Sequence, residues 1–366
     1  MKTAQQCTVL IMAAGTGGHV FPALSTARRL QKKGVNVQWL GTPSGMENDL
    51  LRSTDIDLHR VPVSGLRGSG LRRRIQAPFM IARAFAASWR VLGLVRPHCV
   101  LGMGGFVCGP AGIAAWLRRI PLLIHEQNAV AGLTNKLLAR ISTRVLEAFP
   151  DTFAASARLR HVGNPVRAEI AELYSQARMD RDRRRPLRLL VLGGSQGAQT
   201  INKLLPEVVV NWPGSRPKVL HQTGANNQTE IASLYESLGM SLGADCRVTA
   251  FISDIAEAYR WADLVIARSG ASTVTEIAVA GLPAVFIPYP FHKDKQQLLN
   301  ARWLTDKNAA FLLEQKDLSA KALLSILGEI DLNRTLLVSM SRAARAQAVT
   351  DAGELVAEEC RKFCNV

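Results

Sequence analysis

Thr8-Val9-Leu10-Ile11-Met12-Ala13-Ala14-Gly15-Thr16-Gly17-Gly18-His19-Val20 passes from an unbroken apolar stretch through a Gly-rich turn into a helical pattern that continues to residue 30. A run that is apolar at every position is the mark of a strand buried on both faces of a parallel sheet. Glycine lets a ligand approach the turn's backbone closely, and the helix behind it presents free N–H groups and the positive end of its dipole, which together make an anion site. The arrangement recurs in the other half. Residues 187–192 are apolar, Gly193-Gly194-Ser195-Gln196-Gly197 follows, and a helical pattern spans 198–210. The chain therefore reads as two similar α/β halves, each with a phosphate-type mouth.

Strands and helices keep alternating outward from these two units. Apolar runs at 35–40, 58–63, 100–102 and 122–125 in the first half, and at 218–222, 247–251, 264–266 and 284–287 in the second, alternate with helical patterns. That is βαβ repetition, which predicts doubly wound parallel sheets. Residues 160–165 are expected to close the first sheet, and the Arg-rich run 181–186 reads as a solvated lead-in to the next strand. At 366 residues the chain exceeds what a single core usually serves, so two domains are expected. The balance of 45 Lys and Arg against 29 Asp and Glu, net +16, implies an acidic partner: phosphate groups, nucleic acid or an anionic membrane surface. Six scattered cysteines with no C-x-x-C pair and no metal-type spacing fit reduced thiols in a cytoplasm. No secretion signal opens the chain, and no run of about 18 uninterrupted apolar residues is present, so no membrane span is expected.

Two common readings of a Gly-rich turn fail here. A dinucleotide fingerprint needs a third glycine where Val20 stands and an acid at the end of the second strand, which instead closes Trp39-Leu40-Gly41. A kinase-type phosphate loop needs Gly-Lys-Ser/Thr, which follows neither turn. His19 carries more information. At a helix N-terminus the dipole favours neutral imidazole, the form that accepts a proton; a capping or packing role is the alternative. Gly102-Met103-Gly104-Gly105-Phe106 makes a second anion mouth in the first half. His125-Glu126-Gln127-Asn128 gathers polar side chains at a strand's C-terminal end, either for a ligand or to satisfy its own loop. In the second half, Arg268-Ser269-Gly270-Ala271-Ser272-Thr273 leads into a helix carrying Glu276, which either complements the helix dipole or accepts the hydroxyls of a ribose.

Taken in order, these motifs together with Ser64-Gly65-Leu66-Arg67-Gly68, Gly163-Asn164-Pro165-Val166-Arg167 and Lys293-Asp294-Lys295-Gln296-Gln297 resemble the MurG family along nearly the whole chain. Members are inverting glycosyltransferases of the GT-B type that move N-acetylglucosamine from UDP-N-acetylglucosamine to the C4 hydroxyl of lipid I, giving lipid II in peptidoglycan synthesis. The resemblance implies an α/β fold of two Rossmann-like doubly wound parallel-sheet domains facing across a cleft. An acceptor domain would span 1–164, joined by a C-terminal helix at about 346–366, and a donor domain would span 165–345. It also implies a peripheral enzyme on the cytoplasmic face of the bacterial inner membrane, serving cell-wall biogenesis, cell shape and division alongside other proteins of those processes. No nucleic-acid partner and no tightly bound cofactor are implied; a divalent cation is allowed but not indicated. Two D-x-D matches, Asp55-Ile56-Asp57 and Asp180-Arg181-Asp182, read as chance.

By the same resemblance, Phe251 and Ile252 border the uracil and Glu276 holds the ribose. Ser195 with Gln196 and Gly197 holds the diphosphate, and Arg167 and Arg268 add positive charge. Gln296, Gln297 and Asn128 read the sugar hydroxyls, Ala271, Ser272 and Thr273 contribute around them, and Thr16, Gly17 and Gly18 face the donor as well. Gly15, Gly104, Gly105 and Phe106 receive the acceptor. His19 is the expected base, with Glu126 as runner-up. Ile75, Phe79, Phe85 and Trp116, interleaved with Arg72, Arg140 and neighbouring arginines, form a basic apolar patch suited to an anionic surface. Phe106 stands where the family often has tyrosine, Ser272 replaces a common leucine, and the loop 288–292 is one residue longer than usual. A UDP-sugar 2-epimerase, with the same architecture and nucleotide site, or another GT-B glycosyltransferase is the alternative function.

Overall fold

The computed structural model describes residues 6–63, 71–176, 185–193, 198–292 and 294–364, with backbone alone at 71–76. It divides into two units, Met1–Arg167 with Asp351–Val366, and Ala168–Thr350.

The first unit is built on a seven-stranded sheet of β1 (Thr8–Met12), β2 (Asn36–Gly41), β3 (Asp57–Arg60), β4 (Cys99–Gly102), β5 (Leu122–Glu126), β6 (Arg144–Glu147) and β7 (Leu159–His161), in the order β3-β2-β1-β4-β5-β6-β7. All pairings are parallel; Ile11, for example, is flanked by Trp39 and Leu101. Along β1, Val9 and Ile11 enter one core while Leu10 and Met12 enter the other, which is why the run is apolar at every position. The strand order reverses between β1 and β4, the place at the carboxyl edge where open α/β sheets bind ligands.

The helix Ala352–Arg361 returns to this unit. Its Val356, Ala357 and Cys360 join Leu24, Ala27, Cys7 and Cys99 in the core on one side of the sheet. That return places Cys364 beside Cys7, 357 residues away, and the two form a disulfide with Cα atoms 5.4 Å apart. The expectation of six reduced thiols is corrected for this pair, because the juxtaposition depends on tertiary packing and leaves no trace in cysteine spacing. Cys99, Cys108, Cys246 and Cys360 are free and buried.

On the sheet's other side lie the helices Leu71–Val95, Cys108–Leu117 and Leu133–Leu138. Within the first, Ala77–Val95 is long and apolar enough to cross a membrane by length and composition, although Arg83 and Arg90 interrupt it. This qualifies the expectation of no such segment. In the structure the segment packs as an outer layer, burying Ala84, Ser88 and Leu92.

The second unit repeats the plan with β8 (Arg188–Leu192), β9 (Lys218–Gln222), β10 (Cys246–Thr249), β11 (Leu264–Ala267), β12 (Ala284–Phe286) and β13 (Ala310–Leu312), all parallel in the order β10-β9-β8-β11-β12-β13. Here the reversal falls between β8 and β11. The sequence reading did not place β6 or β13; the first is short and only half apolar, the second only three residues long.

The Arg-rich lead-in is not simply solvated. Residues 181–184 lie outside the described residues, but both Nη groups of Arg185 donate to the Asp263 carboxylate at 2.8 Å, and that carboxylate also accepts the Arg188 N–H at 2.9 Å. The buried carboxylate thus ties the entry of β8 to that of β11. Asp263→Ala should destabilise the second unit by about 3 kcal/mol, the low end for breaking a buried pair, because Arg185 keeps some contact with water. Urea unfolding measures this, and a loss below about 1 kcal/mol, the scale of an exposed ion pair, would contradict it.

Candidate functional site

Three loops leave the carboxyl ends of β1, β4 and β5 side by side in the first unit. The first carries Gly15 and Thr16 into the helix Gly17–Lys32, whose opening turn holds a half-buried His19. The N–H groups of Thr16, Gly17 and Gly18 find no partner among the described residues, which leaves them as anion donors. The Gly15 N–H is different: it donates to the buried Glu47 carboxylate at 3.2 Å, and Glu47 also accepts from the backbone and hydroxyl of Thr42 at 2.7 and 2.8 Å. Glu47 braces this turn from beneath, a role with no signature in its local sequence.

The second loop packs directly against the first. Gly104 has φ +108°, and a Cβ there would lie 2.3 Å from His19 Nδ1, so both backbone and contact demand glycine. Its carbonyl accepts the Ala14 N–H at 3.3 Å and the Cys108 thiol at 3.1 Å. Burial pushes the Cys108 thiol up to about 12, so it stays a protonated donor. Gly105 follows, and Phe106 projects into solvent, where it can meet an acceptor but offers no hydroxyl.

The third loop is anchored from within. Gln127 is buried, donates from Nε2 to the Met103 carbonyl at 2.6 Å, and sets Oε1 3.3 Å from His19 Nδ1. One side chain thereby pins all three loops. His125 points the other way, its Nε2 2.9 Å from the Gly163 carbonyl; burial lowers its pKa to about 4, keeping it neutral. Glu126, the runner-up base, holds its own loop. It is buried, and its oxygens accept from the backbone and side chain of Asn128 at 3.1 Å, from Gly132 N at 3.0 Å and from Asn135 Nδ2 at 2.9 Å. Turning this carboxylate outward would leave those donors unsatisfied. The same bonds hold the Asn128 side chain at the loop's surface. Arg167, expected with the donor domain, belongs to the first unit, with its guanidinium 5.1 Å from the Phe21 ring.

In the second unit, Gly193 closes β8; a Cβ there would lie 2.9 Å from the Gln222 carbonyl, so only glycine lets the loop pass. Ser195, Gln196 and Gly197 lie outside the described residues. After β11, the helix Ala271–Ala280 opens with the N–H groups of Ala271, Ser272 and Thr273 unpartnered among the described residues, and the Ser272 hydroxyl is buried without a partner. Glu276 stands in the second turn of this helix, not the first, so it is too far in to serve the helix end. It is buried, and Tyr259 donates its hydroxyl to Glu276 Oε2 at 3.0 Å. Tyr259 is a holding residue that the sequence reading did not single out. Phe251, beyond β10, is 60 % exposed, an open aromatic face suited to a base, with Ile252 half-buried beside it.

Arg268 also positions its own loops. Its Nη1 donates to the carbonyls of Ile287 and Pro288 at 2.9 and 3.0 Å, and its Nη2 donates to Gln315 Oε1 at 2.6 Å. Directed at these acceptors, it shapes the loop after β12. Gln297 Oε1 accepts the Tyr289 N–H at 2.9 Å, while its carbonyl accepts Ser269 Oγ at 2.7 Å. Gln296, the first residue of the helix Gln296–Thr305, has a half-buried side chain. The loops after β11 and β12 are thus tied together around Ser269. Among the described residues no three His, Cys, Asp or Glu side chains gather as a metal site. Asp55 and Asp57 accept from Gln31 and Gln38, and Asp180 and Asp182 lie outside the described residues.

The outer helices of the first unit expose Phe79, Ile81 and Leu94, then Ile113, Trp116 and Leu117, then Leu133 and Leu137. Arg140 is exposed beside the last group. Phe85 is corrected to a half-buried residue packed on the core, 5.8 Å from Trp89, and Arg118 stacks 4.2 Å over Trp89. The side chains of Ile75 and Arg72 lie outside the described residues. The spacing of Ile113 with Trp116 and Leu117, and of Leu133 with Leu137, was a helical signal available in the sequence.

Residues 9–147 match the glycosyltransferase family 28 N-terminal domain and residues 188–356 its C-terminal domain. The chain is 48 % identical over 353 residues, 96 % of this chain and 97 % of the relative, to a protein of Azotobacter vinelandii named UDP-N-acetylglucosamine–N-acetylmuramyl-(pentapeptide) pyrophosphoryl-undecaprenol N-acetylglucosamine transferase. A relative of the same name from Chromohalobacter salexigens is 48 % identical over 362 residues, 98 % of each chain. Among solved structures, Acinetobacter baumannii MurG aligns with a TM-score of 0.81 and 39 % identity over 97 % of this chain and 99 % of that one. A UDP-N-acetylglucosamine 2-epimerase from Neisseria meningitidis aligns with a TM-score of 0.68 at 12 % identity over 98 % of this chain and all of that one, a likeness of fold alone. The chain belongs to the MurG family of N-acetylglucosamine transferases, and its two halves are the N- and C-terminal domains of glycosyltransferase family 28.

Proposed function

We propose that this glycosyltransferase moves N-acetylglucosamine from UDP-N-acetylglucosamine to the C4 hydroxyl of the muramyl sugar of lipid I, with inversion, releasing UDP and lipid II. The observation that carries the reading is near-full-length identity with transferases of that name. The first unit takes the acceptor at its paired Gly turns and the second takes the donor. The acceptor C4 oxygen forms the new bond to C1 of the sugar as the C1–oxygen bond to UDP breaks, and the electron pair leaves on the diphosphate. His19 takes the hydroxyl proton. The helix N-terminus behind the Gly193 turn, with Ser195 and its neighbours, stabilises the departing charge through backbone N–H groups. Glu276, held by Tyr259, accepts the ribose hydroxyls, Phe251 covers the uracil, and Gln296, Gln297 and Asn128 read the sugar. A 2-epimerase shares the fold alone, and incubation with UDP-N-acetylglucosamine in the absence of acceptor separates the two activities.

The lipid-linked acceptor requires an approach to a membrane. The uncovered side chains Phe79, Ile113, Trp116, Leu133 and Leu137, with Arg140 and the chain's excess of positive charge, suit the cytoplasmic surface of an anionic bilayer, which the protein would bind without spanning.

Three outcomes test these assignments. Glu276→Ala should weaken UDP binding by about 1.5 to 3 kcal/mol, the scale of hydrogen bonds to a charged group; unchanged affinity by calorimetry would remove Glu276 from the site. His19→Ala should lower kcat by roughly 100-fold to 10,000-fold while UDP affinity holds, and a near-normal kcat would transfer the proton to another acceptor. Replacing Phe79, Trp116 and Leu133 together with Glu should abolish flotation with anionic vesicles yet spare turnover of a short-chain, water-soluble acceptor. Should the variant still float at physiological salt, the membrane contact lies elsewhere.

A further inference from the structure

The amide of Gln127 can be oriented by chemistry alone. The Met103 carbonyl only accepts, so the Gln127 atom 2.6 Å from it is the donating Nε2, and the atom 3.3 Å from His19 Nδ1 is the accepting Oε1. Between an acceptor oxygen and a ring nitrogen the proton must sit on the nitrogen. We infer that Gln127 is a positioning residue that holds His19 in the Nδ1–H tautomer, which leaves Nε2 as the basic atom. In the opposite tautomer the lone pair would fall on Nδ1, which is packed against Gly104 and out of reach of a sugar hydroxyl. The reading of His19 as base underlies the consequence for turnover but not the tautomer itself.

A neutral amide suits this position. A carboxylate facing Nδ1 would stabilise the imidazolium, whereas Gln127 orients the ring without adding charge. The other titratable groups around the ring are placed so as not to compete. His125 stays neutral in the interior, the Glu126 carboxylate is turned to Asn128, Gly132 and Asn135, Glu47 holds Gly15 and Thr42, and Cys108 remains a thiol. Arg167 stacks on the ring of Phe21, two residues further along the helix that carries His19.

The test is nitrogen NMR on full-length protein labelled in its histidine rings, with the His19 signals identified by their loss in His19→Gln. The wild type should show a protonated Nδ1 and an unprotonated Nε2. Gln127→Leu should give the Nε2–H tautomer and lower kcat by about 100-fold, the low end of what a positioned base supplies, with donor KM little changed. Gln127→Glu should keep the Nδ1–H tautomer, recover most of kcat and move the acid limb of the kcat–pH profile upward. A wild-type ring already in the Nε2–H form, or a Gln127→Leu ring that keeps Nδ1–H, overturns the proposal. Should Gln127→Leu not fold, the wild-type spectrum and Gln127→Glu still decide it. A tautomer that follows Gln127 supports the proposal even where His19→Ala leaves turnover intact, an outcome that removes His19 as the base instead.

Discussion

The imidazole of His19 fills the space where a side chain at Gly104 would be, and this contact governs the loop edge of the first unit. It requires the turns after β1 and β4 to lie against one another, which follows from those strands being neighbours at the point where the sheet's winding reverses. The Ala14 N–H bond to the Gly104 carbonyl and the Cys108 thiol bond to that same carbonyl secure the contact from the backbone side. Gln127 brings in the loop after β5. A ring held on two sides has lost its rotational freedom before any ligand arrives.

The two units show how one architecture is fitted to different tasks. Each has a reversal of strand order, and at that edge each offers the free backbone N–H groups of a helix start, at Gly17 in the first unit and at Ala271 in the second. In the first unit the surrounding side chains orient an imidazole. In the second they orient a carboxylate: Tyr259 donates to Glu276 from a neighbouring helix, and Ser269, Gln297 and Arg268 tie the flanking loops to each other. Several polar residues at these edges hold the loops. Glu126, Glu47 and Arg268 direct their oxygens or guanidinium nitrogens at groups of the protein itself. Fixed loops keep the N–H groups convergent, and convergent donors stabilise an anion because they need not reorganise when charge develops.

The first unit is also asymmetric in its covering. One side of its sheet is closed by the helix Gly17–Lys32 and by the returning C-terminal helix, with the disulfide at the end of that return. The other is closed by helices whose outward faces remain apolar at Phe79, Trp116, Leu133 and Leu137. Residues such as Ala84 and Leu92 on the inward face make the sheet's core, so the outward residues on the same helices are surplus to folding. A monomeric protein rarely leaves so many large apolar side chains in contact with water.

Much of this was legible in the chain. The unbroken apolar runs of β1, β4, β5, β8 and β11 announced strands buried on both faces, and the glycines after them announced the mouths, because these features depend on residues within a few positions of one another. Short strands at the sheet margins, β6 and β13, were not legible, since sheet neighbours and not local composition make them strands. The site divided along the same line. His19, Gln127, Glu276 and the glycines could be found as residue types in suggestive places. What each does was decided by partners far along the chain: Gln127 is 108 residues from His19, Glu47 is 32 residues from Gly15, and Cys7 is 357 residues from Cys364. Hydrogen-bond donors and acceptors act over about 3 Å, so whether a carboxylate such as Glu126 faces substrate or its own loop is settled only when the strands have brought its neighbours into reach.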